Sequence, residues 1–160
     1  WACTGKKGRE QHIVKSLFLS EVLIRHNERL MKKYKQIERE VLKYKEYETE
    51  DCDILIVAFG TMARCALSSI RACRKEGIRA GLFVPQTLWP YPYRPLQQAA
   101  EGRKAVIVAE MSHGQMIEDV RLALGIDKEL FTYFKIGGDI PKPSELIELI
   151  RNTAKDTKVK

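Results

Sequence analysis

Asp53-Ile54-Leu55-Ile56-Val57-Ala58-Phe59-Gly60-Thr61 is the stretch whose reading decides the fold. Its short continuous apolar run, with β-branched residues and no polar alternation, predicts a strand buried on both faces. Gly60-Thr61 breaks the run, and Met62, Ala66, Ile70 and Cys73 then follow helical spacing up to Gly77. The unit repeats downstream. Residues 80–84 predict a second strand ended by Pro85, and 105–109 a third, followed by Met116, Val120 and Ala123/Leu124 at helical spacing. Residues 131–136 predict a fourth strand, ended by Gly137-Gly138. Pro141 and Pro143 lead to Ser144, the expected N-cap of a final helix carrying Leu146, Ile147 and Ile150. Strand–helix alternation of this kind predicts an α/β fold with a parallel sheet and helices on both faces.

Upstream, residues 21–48 contain neither proline nor glycine. Leu23, Leu30, Ile37 and Tyr44 recur every seven residues, with Tyr34 and Val41 interleaved. One apolar stripe on a long helix is expected, with Ser20 as its N-cap. Asn27 and a tyrosine-rich seam favour a helix lying across a domain or between subunits over a free coiled coil. The expected organisation is a leading segment and long connecting helix over 1–50, an α/β domain over 51–152 and a basic tail over 153–160.

The 160 residues are 44% hydrophobic and 31% charged, enough for a core. The longest apolar run, 54–59, is far below the ~20 residues of a membrane span, and no signal peptide is legible. The chain starts at Trp1 and reads as a piece of a longer protein. Of its net charge of +7, +3 lies in residues 1–20, +1 in 21–50 and +3 in 151–160, with Lys6, Lys7, Arg9, Lys155, Lys158 and Lys160 as basic ends, while residues 51–150 carry twelve cations against twelve acids. A nucleic-acid binder needs a basic face on its folded body, so neither nucleic acid nor membrane is expected as a partner. Cysteines 3, 52, 65 and 73 form no C-x-x-C pair, and histidines 12, 26 and 113 show no metal spacing. Reduced thiols in a cytoplasmic protein are expected, with no zinc or iron–sulfur motif.

The two standard phosphate-cradling fingerprints, G-x-G-x-x-G and G-x-x-x-x-G-K-[ST], are absent. Gly60-Thr61 nevertheless sits where a parallel sheet would offer an anion site, although a tight strand-to-helix turn needs a small residue there in any case. The loop from Pro85 through Thr87, Trp89 and Tyr91 is kept from helix by three prolines. Its aromatic rings are expected to pack on the domain's own sheet or on a second chain. A short helix is expected over 96–101. After the third strand, Glu110-Met111-Ser112-His113-Gly114-Gln115 is the most polar cluster at that end of the sheet. Glu110 and His113 invite an acid–base reading, against that of a loop that caps a helix and touches a neighbour; no nucleophile with a partner base is identifiable.

These stretches, taken in order, resemble a known family. The strand at 53–61, Gly81-Leu82, Pro85-x-Thr87-Leu88-Trp89-Pro90-Tyr91-Pro92 and Glu110-Met111-Ser112-x-Gly114-Gln115 are similar to the carboxy-terminal part of the thiamine-diphosphate (alpha-type) subunit of 2-oxoacid:ferredoxin oxidoreductases. Trp1, Thr4-Gly5, Gly8-Arg9, Ser16-Leu17 and the charged helix ending in Glu46-Tyr47-x-Thr49-Glu50-Asp51 resemble most the 2-ketoisovalerate (3-methyl-2-oxobutanoate) type. The resemblance reaches to about residue 152. Ser112 departs from the Asn common in the family.

The resemblance implies a three-layer α/β/α, transketolase carboxy-terminal-domain-like fold, with a mostly parallel five-stranded sheet and one antiparallel strand. Residue spacing alone finds four strands. The resemblance also implies that thiamine diphosphate, Mg and iron–sulfur clusters are held elsewhere in the parent complex, so no catalytic, cofactor or metal residue transfers to this chain. Gly60, Thr61, Pro85, Thr87, Trp89, Tyr91, Glu110, Ser112, His113, Gly114 and Gln115 are the candidate interface or loop-cluster residues. The implied partners are the other domains and subunits of the oxidoreductase, with ferredoxin and CoA acting on the whole complex. The alternative is a stand-alone α/β module that binds a nucleotide or CoA-like anion at the Gly60 and Gly114 loops.

Overall fold

The computed structural model describes residues 5, 7–8 and 20–158. Expectations placed on Trp1, Cys3, Thr4, Lys6, Arg9, His12, Ser16, Leu17 and Lys160 lie outside the described residues. The chain divides into two units, Trp1–Arg39 and Glu40–Lys160. In the first, helix α1 spans Ser20–Glu40 and contains no buried residue. The seven-residue stripe is therefore an exposed face: Leu23, Tyr34 and Val41 are exposed, and Leu30 and Ile37 are only half-buried.

The second unit holds β1 (Tyr44–Tyr47), β2 (Ile54–Ala58), α2 (Gly60–Lys75), β3 (Ala80–Pro85), α3 (Tyr93–Ala100), β4 (Ala105–Glu110), α4 (Met116–Leu124), β5 (Phe131–Phe134) and α5 (Pro143–Lys158). The sheet order is β1-β3-β2-β4-β5, with β1 antiparallel to β3 and the other pairs parallel. The fifth strand is thus β1, at the place where the heptad pattern predicts continued helix. Tertiary pairing overrides that local periodicity. Tyr44 stacks on Phe83 at 5.3 Å between ring centroids, and the Lys43 carbonyl accepts the amides of Gln86 and Thr87 at 3.0 and 3.1 Å.

Alternation along the strands sends side chains to two cores. Ile54, Ile56, Leu82 and Ile107 pack with Met62, Ala66, Ile70 and Cys73 of α2 and with Leu146 and Ile150 of α5. Leu55, Val57, Phe83, Val106 and Val108 pack with Leu96 of α3 and with Met116, Ile117 and Val120 of α4. β2 is buried at every position, as its unbroken apolar run requires. Each fully buried aliphatic side chain contributes about 1.5–3 kcal/mol by leaving water.

Several predicted ends move: β5 stops at Phe134, and α3 spans Tyr93–Ala100 rather than 96–101. α5 begins at Pro143, where the missing amide of proline is tolerated, and the Lys142 carbonyl accepts the Glu145 and Leu146 amides; Ser144 lies inside the first turn rather than capping it. The same helix runs to Lys158 with Thr153 and Ala154 buried, so most of the predicted basic tail belongs to the folded unit.

Candidate functional site at the carboxyl edge of the sheet

β2 leads through α2 to β3 on one side of it, and β4, reached through α3, lies on its other side. The boundary between β2 and β4 is therefore the point where strand order reverses, the usual ligand position in open α/β sheets. Ala58 pairs with Ala109, so the loops beginning at Gly60 and Glu110 emerge side by side there. β3 ends at Pro85 on the far side of β2, so the 85–92 loop leaves the same edge. The topology thus brings all the sequence-predicted candidates to one end of the sheet.

Glu110 is wholly buried at the tip of β4. Its Oε2 accepts the amides of Gln115 and Met116 at 3.1 and 2.9 Å, and its Oε1 accepts the Ile117 amide at 3.2 Å. The Ser112 hydroxyl donates to the same carboxylate. These amides are the unpaired donors of the α4 N-terminus, which the Gln115 side chain leaves uncapped. A carboxylate there also complements the helix dipole. Glu110 is therefore the cap of α4, delivered from the neighbouring strand rather than from the preceding residue. Its acceptor sites are filled by its own chain, so it is not poised to take a substrate proton. His113 is exposed and lies edge-on to Phe134 at 5.7 Å. Gly114, at φ 89°, makes the turn that lets the loop fold back over Glu110.

Gly60, at φ 59°, opens α2, where Phe59 supplies no side-chain cap. Gly60 and Thr61 are exposed. On the 85–92 loop the candidates separate into anchors and a presented edge. Pro85 pairs with Tyr44. The Thr87 hydroxyl accepts the Lys43 amide at 3.1 Å and approaches the Lys43 carbonyl at 3.3 Å, which fixes the loop to the entry of β1. Tyr91 is buried, and its hydroxyl, which has no hydrogen-bond partner among the described residues, is pushed up in pKa by that burial. The Trp89–Pro90 peptide is cis. Trp89 is 58% exposed and Leu88 49%, with Met111 of the β4 loop 41% exposed. Packing of the loop on the domain's own sheet accounts for Tyr91, whereas more than half of Trp89 remains exposed.

Three supporting residues have no signal in spacing alone. Arg74 donates to the carbonyls of Ala80 and Glu48 and to Asp51, which locks the turn between β1 and β2. The Tyr93 hydroxyl donates to Asp119 at 2.6 Å, joining α3 to α4, and that bond raises its pKa to about 12. Arg103 donates to the carbonyls of Ala99 and Cys52. All three are side chains that meet partners distant in sequence, which only the fold brings near.

Among the described residues, the side chains do not fit the cofactors implied by the resemblance. A thiamine pyrimidine needs an available carboxylate, and the buried carboxylate of this edge, Glu110, is filled by α4. A cluster needs converging thiolates; Cys65 and Cys73 lie on α2 on one side of the sheet, and Cys52 packs in the core of the other. Burial raises the thiol pKa of all three, to about 11 for Cys73. Among the described residues no three His, Cys, Asp or Glu side chains gather as metal ligands. Cavities of about 550 and 420 Å³ open at the opposite, amino-terminal end of the strands, the first beside Lys104, Phe131 and Thr157, the second beside Gln97, Glu101 and Leu124. No described helix is long and apolar enough to cross a membrane.

Comparison with known proteins places this geometry. The family model for pyruvate:ferredoxin oxidoreductase core domain II matches residues 52–146. The ketoisovalerate oxidoreductase subunit VorB of Methanothermobacter thermautotrophicus is 38% identical over 98% of this chain and 45% of its own length. The 2-oxoglutarate synthase subunit KorA of Methanothermobacter marburgensis is 37% identical over 64% of this chain and 27% of its own length. The chain spans less than half the length of either relative. Among solved structures, 2-oxoglutarate:ferredoxin oxidoreductase from Magnetococcus marinus superposes with a TM-score of 0.72 at 17% identity, over 95% of this chain and 28% of its own. A split-gene transketolase superposes at 0.57 and 20% identity, over 71% of this chain and 41% of its own. The α/β unit has the transketolase-like fold expected from its motifs, and the chain belongs to the pyruvate:ferredoxin oxidoreductase core domain II family.

Proposed function

We propose that this chain is the structural and subunit-interface domain of a ketoisovalerate-type 2-oxoacid:ferredoxin oxidoreductase. The parent complex, in the cytoplasm, would oxidatively decarboxylate a branched-chain 2-oxoacid to its acyl-CoA and pass electrons to ferredoxin. Thiamine diphosphate, Mg and iron–sulfur clusters would be held by its other domains and subunits. The carrying observation is the division of labour at the carboxyl edge. Glu110 is occupied by the α4 amides, while Leu88, Trp89 and Met111 expose apolar side chains on loops that leave the same end of the sheet. An exposed Trp on a loop pinned by Thr87 and Tyr91 is suited to be a contact anchor, since aromatics dominate interface energetics.

Two measurements test this. The isolated chain, titrated with thiamine diphosphate and Mg, is expected to bind neither and to form no acyl-CoA from a branched 2-oxoacid and CoA; saturable cofactor binding or turnover overturns the reading. In the co-expressed complex, Trp89→Asp is expected to release the subunit without lowering its own melting temperature. Retention of the complex at full yield would remove Trp89 from the interface. The anion-module alternative predicts tight CoA or nucleotide binding by the isolated chain. The structure favours it less, because the α4 N-terminus at Gly114 already holds a carboxylate.

A further inference from the structure

The sheet ends in two edge strands, β1 and β5, and the chain treats them differently. β1 carries Lys45 and Glu46 within the strand, and Glu48, at φ 55°, turns the backbone directly after it. Charges and short length are usual protections of an edge against pairing with another chain. β5, Phe131-Thr132-Tyr133-Phe134, contains no charge, proline or glycine. Phe131 and Tyr133 pack on the α2–α5 core and Phe134 on the α3–α4 core, so the strand is fixed by its own domain, while Thr132 is exposed.

The backbone of β5 sets which groups are offered. The Lys135 amide donates to the Glu110 carbonyl at 3.0 Å, and Glu110 pairs with Phe134. Amide and carbonyl directions alternate along a strand, so the odd-numbered residues bond to β4, and Leu130, Thr132 and Phe134 turn their backbone groups outward. Among the described residues, no side chain or loop bonds to those of Thr132 or Phe134.

We propose that β5 pairs antiparallel with β5 of a second copy of this chain, about a two-fold axis at Thr132, so that the two sheets become one. With Thr132 opposite the partner's Thr132, Leu130 meets the partner's Phe134, and each of these outward pairs exchanges both backbone hydrogen bonds. The side chains then match on both faces. Phe131 stands opposite the partner's Tyr133 on the α2–α5 side, and Leu130 opposite the partner's Phe134 on the other; such aromatic and apolar cross-strand pairs stabilise a sheet. Just beyond the strand, Lys135 falls opposite the partner's Glu129, so opposite charges flank the seam. In the neighbouring registers of the same parity, Phe134 meets Lys128 or Phe131 meets Lys135 instead. The strand complements itself, which assigns the occupant to a second copy rather than to an unrelated strand. This pairing uses no residue of the carboxyl edge and does not depend on the reading of that edge as an interface.

The test uses the 160-residue chain. Sedimentation velocity from micromolar to millimolar concentration is expected to show a reversible dimer. Thr132→Lys sets two lysines face to face and is expected to weaken the dimer about fivefold or more. Because the position is exposed, its melting temperature should equal that of the parent at a concentration where both are monomeric. Thr132→Pro removes an amide that the β4 ladder does not use, and should abolish the dimer. In a Cys3→Ser background, Thr132→Cys is expected to form a disulfide-linked dimer under a mild oxidant, since directly bonded pairs lie about 5.5 Å apart at Cα. Lys45→Cys on the other edge is expected not to. A chain that stays monomeric throughout, a dimer indifferent to both Thr132→Lys and Thr132→Pro, or equal cross-linking at both edges overturns the pairing. A dimer lost on Leu30→Glu but kept on Thr132→Lys overturns it too, and moves the contact to the α1 stripe.

Discussion

Gly81 and Glu48 approach so closely that residue 81 has no room for a side chain: a Cβ there would stand 2.6 Å from the Glu48 carbonyl oxygen and 2.9 Å from Cys52 Sγ. Glu48 itself adopts φ 55°, and its carbonyl accepts Arg74 Nη2 at 2.7 Å. The chain therefore folds tightly over β3 as it passes from β1 to β2. Gly81 is needed for space rather than for backbone freedom. Gly81→Ala should cost about 1–3 kcal/mol by overpacking against backbone, which cannot swing aside as a flexible side chain can. Chemical denaturation measures this; an unchanged midpoint would mean that the turn yields freely.

Replacing Glu110 by Gln keeps the size and removes the match. A carboxylate offers two acceptor oxygens to three helix amides and the Ser112 hydroxyl, whereas an amide offers one oxygen and turns an NH2 towards the remaining donors. Glu110→Gln is expected to destabilise the unit by roughly 2–3 kcal/mol, from unpaired buried donors and a lost dipole contact. The helical signal near 116–124 should melt with the rest of the unit at a lower temperature. An unchanged melting temperature accompanied by loss of turnover in the assembled complex would return Glu110 to acid–base chemistry.

The sheet was legible where burial is two-sided. Residues 54–58 and 105–109 are apolar because both faces are covered, and no other element tolerates such runs. The edge strand β1 was not. Tyr44-Lys45-Glu46-Tyr47 carries no apolar run, because its outer positions meet water, and Tyr44 continues a heptad begun by Leu23. Only pairing with β3 distinguishes it from helix, and pairing is non-local. At the candidate site, sequence order grouped Glu110 with His113. In the structure Ser112 and the amides of Gln115, Met116 and Ile117 meet Glu110 while His113 lies against Phe134, an arrangement set by where the α4 amides point, which no spacing rule specifies.

Asp51 and Arg74 provide a pH-dependent test of the turn between β1 and β2. The bond from Arg74 Nη2 to Asp51 Oδ1, 2.6 Å long, holds the Asp51 carboxyl below its ordinary pKa, with burial opposing it slightly. A depressed folded pKa gives stability that is present above the unfolded value, about 4, and lost as pH falls through the folded value. Asp51→Asn should therefore melt below the parent at pH 7, and the two curves should converge as the pH drops below that of an ordinary carboxylate. A difference that persists undiminished at the acid end would show that the aspartate acts there through packing.

Burial separates the helices that look most alike in sequence. Ile70 of α2 is fully buried, between the sheet and α5, whereas Leu30 of α1, on an equally regular stripe, is only half-buried in a helix with no buried residue. The periodic pattern alone would assign both the same importance. Ile70→Ala removes three carbons from close packing and should cost about 2–5 kcal/mol, the transfer term plus the cavity left behind. Leu30→Ala gives up partly solvated surface, at about 25 cal/mol per Å² and with no cavity, and should cost under about 1 kcal/mol. Denaturant titrations of both variants of the isolated chain decide this. Equal, large losses would show that the α1 stripe is held in the core of the folded chain, and that its face is not available to the rest of the complex.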